Sequence, residues 1–359
     1  MRCQFKNHFN LEPQTLAHAM PRGADIYTPR EMPPFSFATL WRANLDDCIP
    51  GLLGCLPPRD ELFGYLEAFQ KRVNICSFPH VPNEITKTEV ERFLSDARKN
   101  AERFPDMLAL IFAALALGSQ HSVFDKCGGK WVEGAMEKES ERGNLYIAAS
   151  MQALRMTLPS FMNRPTLLAI QTLIMIGPYL TNSGRFLDAW TLFGTTIRLA
   201  HSVGLHRHPK VLDPAPPLRE AMLRRTLWWW MLHMDQQYSM TLGRPLGISG
   251  IGDCPPPDDL TTDPSVLRFG EYINKFTLLA RQILSSDRLT NVKIDEFTDE
   301  LRKLWDTVPE MLQFNESWLD EKKEIPEWPV NAMAAGEFSF ALSYSGSNRC
   351  TVSILLQNP

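Results

Sequence analysis

The stretch that most limits the fold is Met107-Leu-Ala-Leu-Ile-Phe-Ala-Ala-Leu-Ala-Leu117, eleven apolar residues without a break. Leu, Ala, Met and Phe at this density read as helix, and a helix that is apolar all round has to be covered on every side. The run is well short of the ~18 or more residues that span a bilayer. It is therefore expected to be a helix buried on every side, in a soluble, intracellular protein. Pro105 opens this helix and Gly118 is expected to end it, with Ser119 to Trp131, including Gly128-Gly129, as a loop.

The flanking sequence supplies the covering helices. After Pro57-Pro58, Leu62, Leu66, Phe69 and Val73 recur at helical spacing. Thr86-x-x-Glu89 has the capping-box pattern, followed by Val90, Phe93, Leu94 and Ala97 on one face. A long helix is predicted from Glu133 to Met156, charged in its first half and carrying Leu145, Ala148, Ala149, Leu154 and Met156 in its second. Arg164-Pro165-Thr166 starts another, with Pro165 at a permitted early position and Leu167, Ile170, Leu173, Ile174 and Ile176 as its core face. Asn182-Ser-Gly184 is a turn. Phe186, Ala189, Trp190, Phe193, Ile197, Ala200 and Val203 then repeat at steps of three and four up to Gly204, the C-cap glycine, completing an αα-hairpin. Gly194 is expected to permit close helix approach.

The helix from Leu218 to Leu242 carries Trp228, Trp229 and Trp230 in succession. At ~100° per residue the three indoles sweep ~200° of surface, so this helix needs neighbours on at least two sides. Gly243 stops it and Pro245 prevents continuation. Two or three further helices fill 263–316, one with a face set by Leu301, Leu304, Trp305 and Val308, and 332–357 reads as a last helix. No strand alternation is evident. The fold class is all-α: antiparallel helical hairpins around one extended core, covering 58–359 as one domain with a short C-terminal end, preceded by an irregular arm over 1–57.

Charge and motifs exclude most chemistry. There are 37 Lys+Arg against 41 Asp+Glu, a net charge of −4, which argues against a freestanding nucleic-acid binder. Seven cysteines at irregular gaps argue against a disulfide framework. His201, His206 and His208 do not form the i, i+4 pair that sets two ligands on one helix face, so they read as helix-end histidines. Leu246-Gly-Ile-Ser-Gly250 does not complete a nucleophile elbow, and Gly128-Gly129-Lys130 lacks the rest of a P-loop. Asp46-Asp47 and Asp258-Asp259 sit beside prolines and read as turn residues. No catalytic residue or metal ligand is assigned. Arg224-Arg225 reads as a solvated or ion-paired helix position rather than a phosphate clamp. Arg2, Lys6, Arg22 and Arg30 are too scattered to form a nuclear-import signal.

Two stretches carry a resemblance. The first runs from Arg164-Pro-Thr through Gln171, then Ser183-Gly184-Arg185 to Ala189-Trp190, and on to Ile197-Arg-Leu-Ala200 and Gly204-Leu-His206. The second is Arg224-Arg225-Thr-Leu-Trp228-Trp229, Asp235, Leu242-Gly243-Arg244-Pro245-Leu-Gly-Ile-Ser249 and Asp253-Cys-Pro. In this order they resemble the fungal-specific transcription factor domain, the helical middle region of zinc-cluster (Zn2Cys6) regulators, also called the xylanolytic activator regulatory domain. The resemblance implies a non-enzymatic regulatory domain in the nucleus, controlling transcription by RNA polymerase II, usually of a metabolic pathway. It implies transcription regulators or transcription machinery as partners, a small-molecule effector in some members, no membrane, and DNA contact only indirectly or through a missing N-terminal zinc cluster. No cofactor is expected in this chain, since zinc belongs to that cluster. Its C-x-x-C is absent here, and Cys48-x6-Cys55 matches a single interval of it. The alternative is a helical interaction scaffold that modulates intact regulators.

The motif residues also have a physical reading, as architecture. Asp235 lies seven residues after Trp228, on the tryptophan face, and a buried carboxylate needs a partner. Arg244 in the following turn is the first choice and Arg225 the second, tying the Gly243–Asp253 turn back onto the helix.

Overall fold

The computed structural model describes residues 45–74, 84–126, 132–156, 165–257, 264–286 and 290–307. Among them every regular element is helical and no strand occurs. The α-helices are α1 (Leu45–Gly54), α2 (Arg59–Phe69), α3 (Lys87–Leu94), α4 (Ala97–Arg103), α5 (Pro105–Lys126), α6 (Ala135–Met156), α7 (Leu167–Asn182), α8 (Phe186–Ser202), α9 (Leu218–Leu242), α10 (Pro264–Leu284) and α11 (Asn291–Asp306). A π turn, Gln70–Asn74, prolongs α2.

Helix α5 is the hub. It packs against α2, α4, α6 and α7, and every side chain from Leu108 to Leu117 is buried. By length and composition its Pro105–Val123 stretch could cross a bilayer, but 72% of its most apolar window lies inside the fold.

Gly118 does not end α5. The helix continues to Lys126, and a Cβ at Gly118 would lie 2.1 Å from the Tyr65 carbonyl oxygen. The glycine is there because α2 crosses α5 at backbone contact, not because the chain turns. Gly194, by contrast, meets nothing within 4 Å, so the close approach expected there does not occur. Close approach falls instead at Gly143, against the Tyr179 hydroxyl, and at Gly177, against the Tyr238 hydroxyl.

Other boundaries shift for local reasons. Thr166 caps α7: its Oγ1 accepts from Ala169 N at 3.0 Å, so Pro165 lies just outside the helix and not at an early position within it. Thr86 caps α3 in the same way. Leu145 is 49% exposed, whereas Glu139, from the half of α6 expected to be solvated, is buried. Tyr65 donates to Glu139 Oε2 at 2.6 Å, and Arg142 reaches both Tyr65 and Glu61, so the inward face of α6 is keyed by a polar cluster. Helix α1 lies within the segment expected to be irregular, and its Ile49 and Leu52 join the core. The side chain of Trp305, Val308 and the helix expected over 332–357 lie outside the described residues. Leu301 and Leu304 do share a face, packed on Phe297.

Candidate functional site

Most of the resemblance motif, from Gly204 to Asp253, gathers on the surface of α9, whereas Gln171 and Gly184 lie in α7 and the turn after it. Helix α9 runs from Leu218 to Leu242, as the sequence predicts, and all three tryptophans are buried. Gly243 ends it in the left-handed region, with φ +59°. The chain then reverses. Residues 244–257 have no regular structure and retrace α9 toward its N-terminus as a strap.

An irregular segment makes no ladder of its own, so its peptide groups need other partners; only Ile248 and Cys254 of the strap are buried, and the helix side chains bond its backbone in register. Ser239 Oγ donates to the Pro245 carbonyl at 3.3 Å. Asp235 accepts from the Gly247 and Ile248 amides at 2.9 and 3.0 Å. Trp228 Nε1 donates to the Ile251 carbonyl at 2.7 Å, and Trp229 Nε1 to that of Cys254 at 3.2 Å. Arg225 donates to the Pro256 carbonyl. The anchors at 239, 235, 228–229 and 225 thus climb the helix as the strap descends it.

The loop after α8 holds the other side of the strap. Gly204, with φ +72°, ends α8, and the Leu205 amide donates back to the Ala200 carbonyl at 3.0 Å. The Asp253 amide donates to the His206 carbonyl at 3.1 Å, while its carboxylate accepts from the His208 amide at 3.0 Å and pairs with Arg207 at 3.1 Å. Gly252 has φ +77°, and a Cβ there would lie 2.2 Å from the His206 carbonyl oxygen. Arg224, only 1% exposed, binds Glu220 at 2.8 Å and the Val203 carbonyl at 2.9 Å, joining α9 to the end of α8.

Asp235 does not pair with Arg244 or Arg225. Its partner is Arg281 of α10, at 2.8 Å with both side chains buried. Arg281 also donates to the carbonyls of Leu232 and Ile248. Arg244 instead lies over the Trp190 ring, 5.9 Å from its centroid, because the left-handed turn at Gly243 directs it toward α8. The strap is tied down as expected, but by Asp235 to its amides and not by a salt bridge within the turn. Gly184 forms the α7–α8 turn at φ +75°. Gln171 is buried in α7, away from the strap contacts, and its Oε1 has no hydrogen-bond partner among the described residues.

Sequence reasoning missed Arg281, Gly247 and Gly252. The two glycines lie in a turn-rich segment, which is the signal that could have flagged them; a Cβ at Gly247, quoted in the motif but given no role, would meet Ile197 at 2.8 Å. Nothing in the pattern around Arg281 marks it.

Burial sets the electrostatics at the inner points of this contact. Burial pushes the Cys254 thiol up to about 12 and so keeps it protonated. His201 and His206 meet in a tilted arrangement with ring centroids 5.0 Å apart, both against Trp228, and burial lowers both pKa values. Among the described residues no group of three or more His, Cys, Asp or Glu stands where it could hold a metal. Cys48 and Cys55 are free thiols, partly buried against the core.

Two expected results arise here. Trp228→Phe keeps most of the ring but strands the Ile251 carbonyl, so unfolding free energy should fall by about 1–3 kcal/mol, as read by urea titration. The second concerns His233, enclosed between α9 and α10 with Nδ1 3.0 Å from Thr277 Oγ1; burial lowers its pKa to about 4. The unfolded chain, titrating near ~6.5, takes up the proton first as pH falls. The stability this neutral histidine supplies is therefore complete above that pH and drains between pH ~6.5 and ~4, on the order of 3 kcal/mol in full. The urea midpoint should drop between pH 7 and pH 5, and drop less in His233→Gln; equal drops would remove His233 from the explanation.

These features define a class: an all-α domain whose motif arginines, tryptophans and aspartates are used in clasping a strap to a buried helix. The comparisons then name the family. Residues 71–328 match the fungal specific transcription factor domain, and the chain belongs to that family. Its relatives include an uncharacterized transcriptional regulatory protein of Schizosaccharomyces pombe, 28% identical over 145 residues, which are 40% of this chain and 17% of that protein. The Fusaridione A cluster transcription factor fsdR of Fusarium heterosporum is 27% identical over 199 residues, 52% of this chain and 38% of that protein. Transcription factor yanR of Aspergillus niger is 24% identical over 141 residues, 39% and 17% respectively. The matched part is thus less than two-fifths of the length of each of these relatives. No solved structure matches the chain.

Proposed function

We propose that this chain is the regulatory domain of a zinc-cluster-type fungal transcription regulator, acting in the nucleus on transcription by RNA polymerase II. It works by contact with other regulators or the transcription machinery, without chemistry of its own and without a cofactor in this domain. A small-molecule effector tunes it, and DNA is reached through a zinc cluster rather than through the helices described here. The Fusaridione A cluster relative supports control of a metabolic pathway. The observation that carries this reading is the use of the motif side chains. Arg224 and Arg225, the basic doublet beside the tryptophans, are committed to the Val203 and Pro256 carbonyls and so form no phosphate clamp. Asp235 is saturated by two amides and a guanidinium and so forms no general base.

The test tethers the full chain to a reporter promoter through a heterologous DNA-binding domain. A several-fold change in reporter transcript, in either direction, is expected. A transcript level equal to that of the DNA-binding domain alone overturns the proposal.

A further inference from the structure

We propose that α10 and α11 form a flap that can leave α9 without unfolding the bundle, and that its docking is coupled to the strap through Arg281. The first ground is how the apolar core divides. Among the described residues, the large core runs from α1 to α9 and takes in Ile248 and Cys254 of the strap, but no residue of α10 or α11. Those two helices have a small cluster of their own, Leu279, Ile283 and Phe297, backed by Leu301 and Leu304. The main neighbour of α10 in the bundle is α9, and that of α11 is α10.

The second ground is that the join is polar in part, beside the buried Tyr272, Phe276 and Ala280 of α10. Thr277 meets the buried His233, and the Arg281 guanidinium meets the Leu232 carbonyl and Asp235 on α9. Segments at the edge of a fold can open below the free energy of global unfolding.

The third ground is the coupling itself. Arg281 binds the Ile248 carbonyl of the strap, and it shares the Asp235 carboxylate with the Gly247 and Ile248 amides. If α10 leaves, Asp235 loses its counter-charge and Ile248 loses the donor to its carbonyl. If the strap leaves, Arg281 loses an acceptor and Asp235 loses two donors. Each segment stabilises the docked state of the other, and such coupling is reciprocal. A molecule that grips the strap is thereby felt at α10–α11, and one that displaces α10 loosens the strap. This inference rests on the geometry alone and stands whether or not the chain regulates transcription.

The experiment is hydrogen exchange by mass spectrometry on the full chain, comparing the parent with Thr277→Val and Arg281→Met. Thr277 has no bond to the strap, so its substitution loosens the flap alone. Both variants should speed exchange over 264–286 and at the Gly247 and Ile248 amides by about tenfold or more, with Leu108–Leu117 unchanged. If Arg281→Met does not fold, Thr277→Val and the parent in sub-denaturing urea carry the test, with flap and strap opening together before α5. Faster exchange in α10 with an unchanged strap overturns the coupling. Equal acceleration of flap, strap and α5, or none anywhere, overturns the flap.

Discussion

Replacing Asp235 with alanine should cost about 3–5 kcal/mol of unfolding free energy, the largest effect expected of any motif residue. The substitution leaves the Arg281 guanidinium buried without a counter-charge, and it strands the Gly247 and Ile248 amides. Removing one member of a buried pair is costly because the other is then an uncompensated charge, whatever the pair contributed as a whole. Asp235→Asn should cost less, since the amide oxygen still accepts from one strap amide. Arg244→Lys should leave the urea midpoint close to that of the parent, because Arg244 only covers the Trp190 ring. Equilibrium urea unfolding of the three variants checks the order. A loss for Arg244→Lys as large as that for Asp235→Ala would contradict the pairing.

Gly118→Ala is the second large effect. A methyl group 2.1 Å from a backbone carbonyl cannot be absorbed by rotating a side chain, so α2 must move off α5. Overpacking of a tight core costs typically ~1–3 kcal/mol, and the rigid neighbour puts this case at the upper end. Gly194→Ala is the matched control. It sits inside α8 with nothing within 4 Å, so it should gain up to about 1 kcal/mol from helix propensity alone. Thermal melts of the two variants should move in opposite directions.

The two glycines show what the sequence can and cannot reveal. The helix buried on every side, the all-α class and the limits of the tryptophan helix were legible because apolar period and density depend on local residues alone. The purpose of a glycine was not, since helix stop, close approach and open surface are written with the same letter. Gly118 followed an apolar run and looked like a terminus, yet it is an interhelix contact. The motif was legible as a set, and its placement on one helix face followed from the spacing of Trp228 and Asp235. The partner of Asp235 was not. Arg244 is nearer in sequence, but the guanidinium that arrives is 46 residues downstream on α10, brought by a helix whose docking no local pattern encodes.

These residues hold a strap to a helix, and a domain that works through that architecture should lose function only as it loses structure. The most direct measurement sets tethered reporter output against melting temperature for Trp228→Phe, Asp235→Asn, Asp235→Ala, Arg281→Met, Gly252→Ala and Arg244→Lys. The predicted result is one monotonic curve, with Arg244→Lys beside the parent and Asp235→Ala at the far end. A motif variant that keeps the parent's melting temperature and abolishes the reporter response would contradict it.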